Sequence, residues 1–223
     1  MGLNGPYAAL ELIGTIAFAV SGGAVAVRAG MDWLGVGVLA VVTAVGGGTL
    51  RDLLLGQFPI SWIQHPWPVW VAFGTAVIVI AAAYWHPHHA PDSSTLLLIA
   101  DAAGLAVFTV TGTLLALAHH TSGPVAVLLG VVTGAAGGVM RDVLARQTPL
   151  ILVGQIYALS AALGAILLVI LHDTHAPTQL ARWLAVATVF VIRMLAIHFS
   201  WSLPHMPSAV PDSNERRPGL ETR

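Results

Sequence analysis

Gly46-Gly47-Gly48-Thr49-Leu50-Arg51-Asp52 lies inside a long apolar stretch, where three glycines and an Arg-Asp pair are all out of place. The chain repeats itself 90 residues further on, as Ala136-Gly137-Gly138-Val139-Met140-Arg141-Asp142. The register holds on both sides without a gap: Thr43 matches Thr133, Gln57 matches Gln147 and Pro59 matches Pro149. Upstream, Gly14, Phe18 and Gly22 match Gly104, Phe108 and Gly112, and Glu11 matches Asp101. The chain therefore reads as two homologous halves, with a working site expected where the two glycine-rich segments meet.

Composition sets the solvent. The 223 residues are 57% hydrophobic and 9% charged, whereas a soluble domain carries roughly 25% charged residues. So few charges cannot cover a globular surface, and the apolar residues fall in runs of about 20, the length of a membrane-crossing helix. The fold class is an all-α membrane protein. The formal net charge is −1 and the basic residues are not clustered before the tail, so no nucleic-acid partner is expected. The absence of Cys excludes disulfides and thiolate metal sites. The N-terminus has no basic stretch and carries Glu11 early in its apolar run, so that run is expected to stay as a helix and not to be cleaved as a signal.

Seven spans are expected, at about 7–27, 33–55, 68–85, 96–118, 125–144, 152–171 and 180–201, with polar breaks at 86–92 and 172–177. From Pro204 the composition predicts a disordered tail. Each 90-residue unit holds three spans. An odd number flips the chain, so the halves are expected to be related by a pseudo-two-fold axis in the membrane plane. That gives a first repeat at 1–90, an inverted second repeat at 91–178, an added seventh helix at 179–203 and a cytoplasmic tail at 204–223. Arg28, Arg146, Arg216, Arg217 and Arg223 fall on one side of such a chain, and Arg182 on the other. The excess of Arg puts the first side in the cytoplasm of an inner (cell) membrane, with the N-terminus outside and the C-terminus inside. Trp62, Trp67, Trp70, Trp85, Trp183 and Trp201 sit at predicted span ends, as an anchoring belt of membrane lipid contacts would.

The glycines Gly46, Gly47, Gly48, Gly134, Gly137 and Gly138 are predicted to loosen or kink the second and fifth spans, because Gly inside a helix costs about 1 kcal/mol relative to Ala. Freed backbone groups are tolerated at membrane depth only inside protein or beside water, so a pair of broken helices lining a polar pathway is expected. Close helix packing through small residues is the other reading. Thr43, Gly47 and Arg51 form one helical stripe, and Thr133, Gly137 and Arg141 its twin. Arg51 and Arg141 can pair with Asp142 and Asp52 across the axis, or with Asp52 and Asp142 in their own helices, or snorkel to the interface. Glu11 and Asp101 stand at symmetric span starts, where they would draw cations to two mouths or favour the helix dipole. Thr15, Ser21, Thr111 and Thr113 can offer hydroxyls to an ion or bond their own backbone. Arg193, without a repeat partner, is expected to snorkel. Histidines fall mostly in loops, without ligand spacing, so no metal site is expected. No catalytic triad, phosphate loop or dinucleotide fingerprint is present, and an enzyme is not expected.

The doubled Gly-Gly-x-x-Arg-Asp motif in a chain of seven spans resembles the prokaryotic TRIC family, the trimeric intracellular cation channels, over about residues 8–200. The same bacterial family is labelled as glycine transporters. The resemblance implies a homotrimer with an hourglass pore in each subunit, conducting monovalent cations, K⁺ or Na⁺, without a cofactor. It implies kinks at Gly46, Gly47 and Gly48 and at Gly134, Gly137 and Gly138, and a pathway flanked by Arg51, Asp52, Arg141 and Asp142; the residue pattern itself adds Thr43, Thr133, Ser21 and Thr111 as lining or gating positions and Glu11 and Asp101 as mouths. The departure is Ala136, where a third glycine would stand. A carrier of glycine or another small zwitterion is the alternative, with Arg holding the carboxylate.

Overall fold

The computed structural model describes residues 8–85, 93–152 and 156–201. The break at 86–92 and the tail from 204 lie outside the described residues, as does Tyr7. Eight helices run in order: α1 (Ala8–Arg28), α2 (Trp33–Leu54), α3 (Ser61–Gln64), α4 (Trp67–Trp85), α5 (Ser93–Ala118), α6 (Gly123–Leu144), α7 (Tyr157–Asp173) and α8 (Thr178–His198). Six of these are long and apolar enough to cross a membrane, and α7 is a shorter apolar helix. At 17 residues α7 stands at the short end of the spanning range. The predicted sixth span began at Leu152, but Leu152 sits in a turn closed onto Pro149, and the helix starts only at Tyr157. The four-residue α3 was not expected; it fills the loop that follows α2.

The helix ends repeat in the same register as the motifs. Asp32 caps α2 by accepting the Gly35 amide at 2.7 Å, which satisfies one of the donors left over in a first turn. The chain leaves α1 through Gly30 and α2 through Gly56, both at positive φ, where the missing Cβ removes the steric cost. Ninety residues later the equivalent turns are made by His120 (φ 57°) and Arg146 (φ 56°).

Packing follows the same exchange. α1 lies against α2, α4 and α5, while α5 lies against α6, α7 and α1; α2 and α6 cross each other. Four helices, α1, α2, α5 and α6, thus form the centre. Small residues such as Ala19, Ala40, Ala44, Ala106 and Ala135 fill it, which lets backbones approach closely in lipid. α4 buries little besides Ala72, Thr75 and Ala76 and exposes Trp70, Phe73, Val77 and Ile78, the face that meets hydrocarbon. α8 has no counterpart in the first half and packs on α5 and α7.

Candidate functional site

The site is built on the crossing of α2 and α6. Gly47 faces the Thr133 carbonyl, and Gly137 faces the Thr43 carbonyl, each so close that a Cβ would collide with the oxygen. Thr43 and Thr133 are fully buried, and their hydroxyls donate to the Leu39 and Leu129 carbonyls of their own helices at 2.6 and 2.5 Å. Beside the crossing, Phe18 occupies the space over Gly104 and Phe108 the space over Gly14. The two rings stack on each other with centroids 5.2 Å apart. Every one of these contacts maps onto its twin when residues 90 apart are exchanged.

α2 and α6 are uninterrupted helices through both glycine clusters, so the expectation of broken helices is corrected. The glycines are there for contact. Gly46 makes room for the Met140 thioether, Gly134 for Thr109 of α5, and Gly138 for the Tyr157 hydroxyl and the Asp101 carboxylate. Gly48 has only the Arg51 guanidinium near it. In a lipid solvent, close backbone approach of this kind outweighs the small intrinsic cost of Gly.

One Arg-Asp pair lies at each end of the crossing, and each is closed within its own helix. Arg51 donates from Nε and Nη2 to Asp52 Oδ1 at 2.9 and 2.8 Å, and Arg141 donates from Nε to Asp142 Oδ1 at 2.8 Å. Pairing across the axis and snorkelling are both excluded, since Arg51 is 3% and Arg141 0% exposed. The second carboxylate oxygen in each pair pins the loop that follows: Asp52 Oδ2 accepts the Ser61 amide at 2.8 Å, and Asp142 Oδ2 accepts the Leu150 amide at 3.0 Å. These bonds offset part of the cost of burying each charge.

The two ends then differ. On one, Glu11 is half-buried and lines a small cavity of about 40 Å³ together with Arg51, Asp52, Trp62, His65 and Trp67. Thr15 and Phe108 also line it. Trp62, expected in the lipid belt, instead donates its indole N–H to Thr49 at 2.9 Å on the wall of this cavity. On the other end, Asp101 is fully buried and accepts from Arg141 Nη1 at 2.6 Å. The same Nη1 donates to Ser21, which makes that hydroxyl a partner of Arg141. Thr111 and Thr113 bond the Phe108 and Thr109 carbonyls of their own helix.

At this end the sequence reading missed Tyr157 and misplaced Arg193. Tyr157, 2% exposed at the start of α7, lies over Gly138, and the Arg193 guanidinium of α8 sits 4.8 Å above its ring. Arg193 is fully buried, which corrects its expected snorkelling. The available signals were an Arg in the middle of an apolar span and an aromatic residue, Tyr157, in register with Trp67.

Fold and site together define a multi-pass membrane protein whose buried polar groups lie between two matched halves. A family model described as glycine transporter matches residues 8–84 and 98–173. The UPF0126 inner membrane protein YadS of Escherichia coli (strain K12) is 39% identical over 196 residues, which cover 87% of this chain and 93% of that protein. The TRIC trimeric intracellular cation channel orthologue from Rhodobacter sphaeroides superposes with a TM-score of 0.81 at 36% identity, over 87% of this chain and 98% of that one. A prokaryotic TRIC channel solved in 0.5 M KCl gives a TM-score of 0.82 at 29% identity, over 88% and 98%. The chain belongs to this family, the prokaryotic TRIC proteins.

Proposed function

We propose that the chain is a monovalent cation channel, permeable to K⁺ or Na⁺, with one pore in each subunit of a homotrimer. The pore runs along α2 and α6, the second and fifth spans, with α1 and α5 completing its wall. The observation that carries this is the pair of Arg-Asp clusters at opposite ends of one glycine crossing. Each mouth holds two carboxylates to one guanidinium: Glu11 and Asp52 with Arg51, Asp101 and Asp142 with Arg141. With each Arg bonded to Asp, the Glu11 end keeps a formal charge of −1, and the Asp101 end does so apart from Arg193 of α8; negative charge draws cations into a low-dielectric cleft. The TRIC relatives, described as cation channels, support the same reading.

Residues 1–90 and 91–178 act as inverted repeats about an axis in the membrane plane, with 179–203 added and 204–223 as the tail. The paired contacts of Gly47 with Thr133 and Gly137 with Thr43 support a two-fold relation. The protein sits in the cell (inner) membrane among lipid, N-terminus outside, needs no cofactor, and is no enzyme. A glycine carrier is the lesser reading, because a substrate carboxylate would have to displace Asp from guanidinium groups bonded at 2.6–2.9 Å. Recording from purified protein in planar bilayers with asymmetric KCl tests the proposal. Discrete openings that reverse near the K⁺ potential are expected. Absence of current, with saturable glycine uptake into proteoliposomes, would overturn it.

A further inference from the structure

The two mouths are built from matching positions: Glu11 and Asp101, Gly48 and Gly138, Arg51 and Arg141, Asp52 and Asp142, Trp67 and Tyr157. They are nevertheless in different states. The Glu11 mouth opens into a cavity. At the Asp101 mouth, Asp101, Arg141 and Arg193 are fully buried and Tyr157 is 2% exposed. The one component without a twin is Arg193, because α8 itself has none. We infer that α8 closes the Asp101 mouth, and that the Arg193–Tyr157 stack is a seal that must part before an ion passes. This rests on the channel proposal.

Arg193 acts in two ways at once. Its guanidinium caps the Tyr157 ring, and that ring lies over Gly138, against Asp101 and Arg141. Its charge also makes the group formally neutral: Arg141 and Arg193 stand against Asp101 and Asp142. The same move that unplugs the mouth therefore restores its negative charge. The sealed cluster is strained in the polar sense. Asp101 Oδ2, Arg141 Nη2 and the Tyr157 hydroxyl are buried with no hydrogen-bond partner among the described residues. Opening to water would satisfy all three. Among the described helices α8 lies against α5 and α7 and not against α2. A voltage that makes the Asp101-side bath negative draws Arg193 outward and favours opening.

The test uses the full chain in planar bilayers with each bath controlled. Loss of a desolvated cation–π contact predicts about a tenfold rise in open probability for Arg193→Gln and for Tyr157→Ala, with loss of the voltage asymmetry in Arg193→Gln alone. Arg193→Lys, which keeps the charge, is expected to keep the asymmetry. Trp70→Ala, on the exposed face of α4 away from both mouths, is expected to leave both unchanged. A second readout does not need current. The chain has no Cys, so Ser21→Cys places one thiol behind the seal. A membrane-impermeant thiol reagent on the Asp101 side should modify it about tenfold faster once Arg193→Gln is added. Wild type that conducts, with Arg193→Gln and Tyr157→Ala unchanged in gating and in labelling, overturns the seal. Wild type without current, but with the labelling shift, keeps the seal and rejects the channel.

Discussion

Replacing Gly47 by Ala sets a methyl group where the Thr133 carbonyl oxygen already stands. The obstruction is backbone, so no rotamer change relieves it. α2 and α6 must part by about 1 Å to restore ordinary contact. Overpacking of this kind costs about 1–3 kcal/mol, and the upper end applies where two backbones meet. Ala returns about 1 kcal/mol of helix propensity. The net loss is about 2 kcal/mol, or a midpoint lowered by about 4–8 °C for a chain of this size. The neighbouring glycines calibrate the argument. A Cβ at Gly48 meets only Arg51 Nη2, at 3.7 Å, so Gly48→Ala should hold wild-type stability. At Gly46 it meets Met140 Sδ at 2.6 Å, a flexible thioether that can swing away, so the loss should be intermediate. Gly74, in α4, has nothing within 4 Å, and Gly74→Ala should gain up to about 1 kcal/mol. Thermal unfolding of the four proteins in detergent, followed by the folded fraction on size exclusion, gives the order. Gly47→Ala as stable as wild type, or Gly48→Ala as damaged as Gly47→Ala, would refute the crossing as the reason for the glycines.

Asp142→Asn removes one of the two carboxylates that hold buried Arg141, and should cost about 3 kcal/mol in the same assay. Asp52→Asn should cost less, because Arg51 borders a cavity that water can enter. Glu11→Gln takes the −1 charge from the open mouth, so K⁺ current entering from that side should fall by about two- to tenfold in dilute salt. The deficit should vanish towards 1 M KCl, where the screening length is about 3 Å; a salt-independent deficit would mean a structural effect. His120→Gly relieves a left-handed residue at φ 57° and should raise the midpoint by a few degrees, about 1 kcal/mol.

The repeat made much of this legible. Once Gly47 and Gly137 were in register, the meeting of the two glycine segments and the ranking of Glu11 with Asp101 followed from the sequence, while the partner of each Arg stayed open until the structure closed it within its own helix. Three features did not follow, for physical reasons. Intrinsic propensity describes a helix in water, so glycine clusters read as breaks, whereas tight packing in lipid keeps α2 and α6 whole. Hydropathy and position cannot tell a ring facing lipid from one facing a cavity, so Trp62 read as an anchor although it bonds Thr49. Comparison of halves is silent about residues without a twin. Arg193 was therefore assigned to the interface, although it lies over Tyr157 with no exposed surface.

That silence is informative about how the two halves can differ. At the centre each residue packs on the copy of its own partner: Phe18 on Gly104 and Phe108 on Gly14, Gly47 on Thr133 and Gly137 on Thr43. A change in one half there is felt at once in the other, and the paired residues are identical in this chain. At the mouths the Arg-Asp pairs are kept, and the groups around them differ: Glu11 against Asp101, Trp67 against Tyr157, and α8 on one side only. Symmetry thus extends from the crossing to the Arg-Asp pairs and ends at the groups around them. Under the channel proposal these differences sit where ions enter and leave, and any directionality of conduction is expected to arise at the mouths.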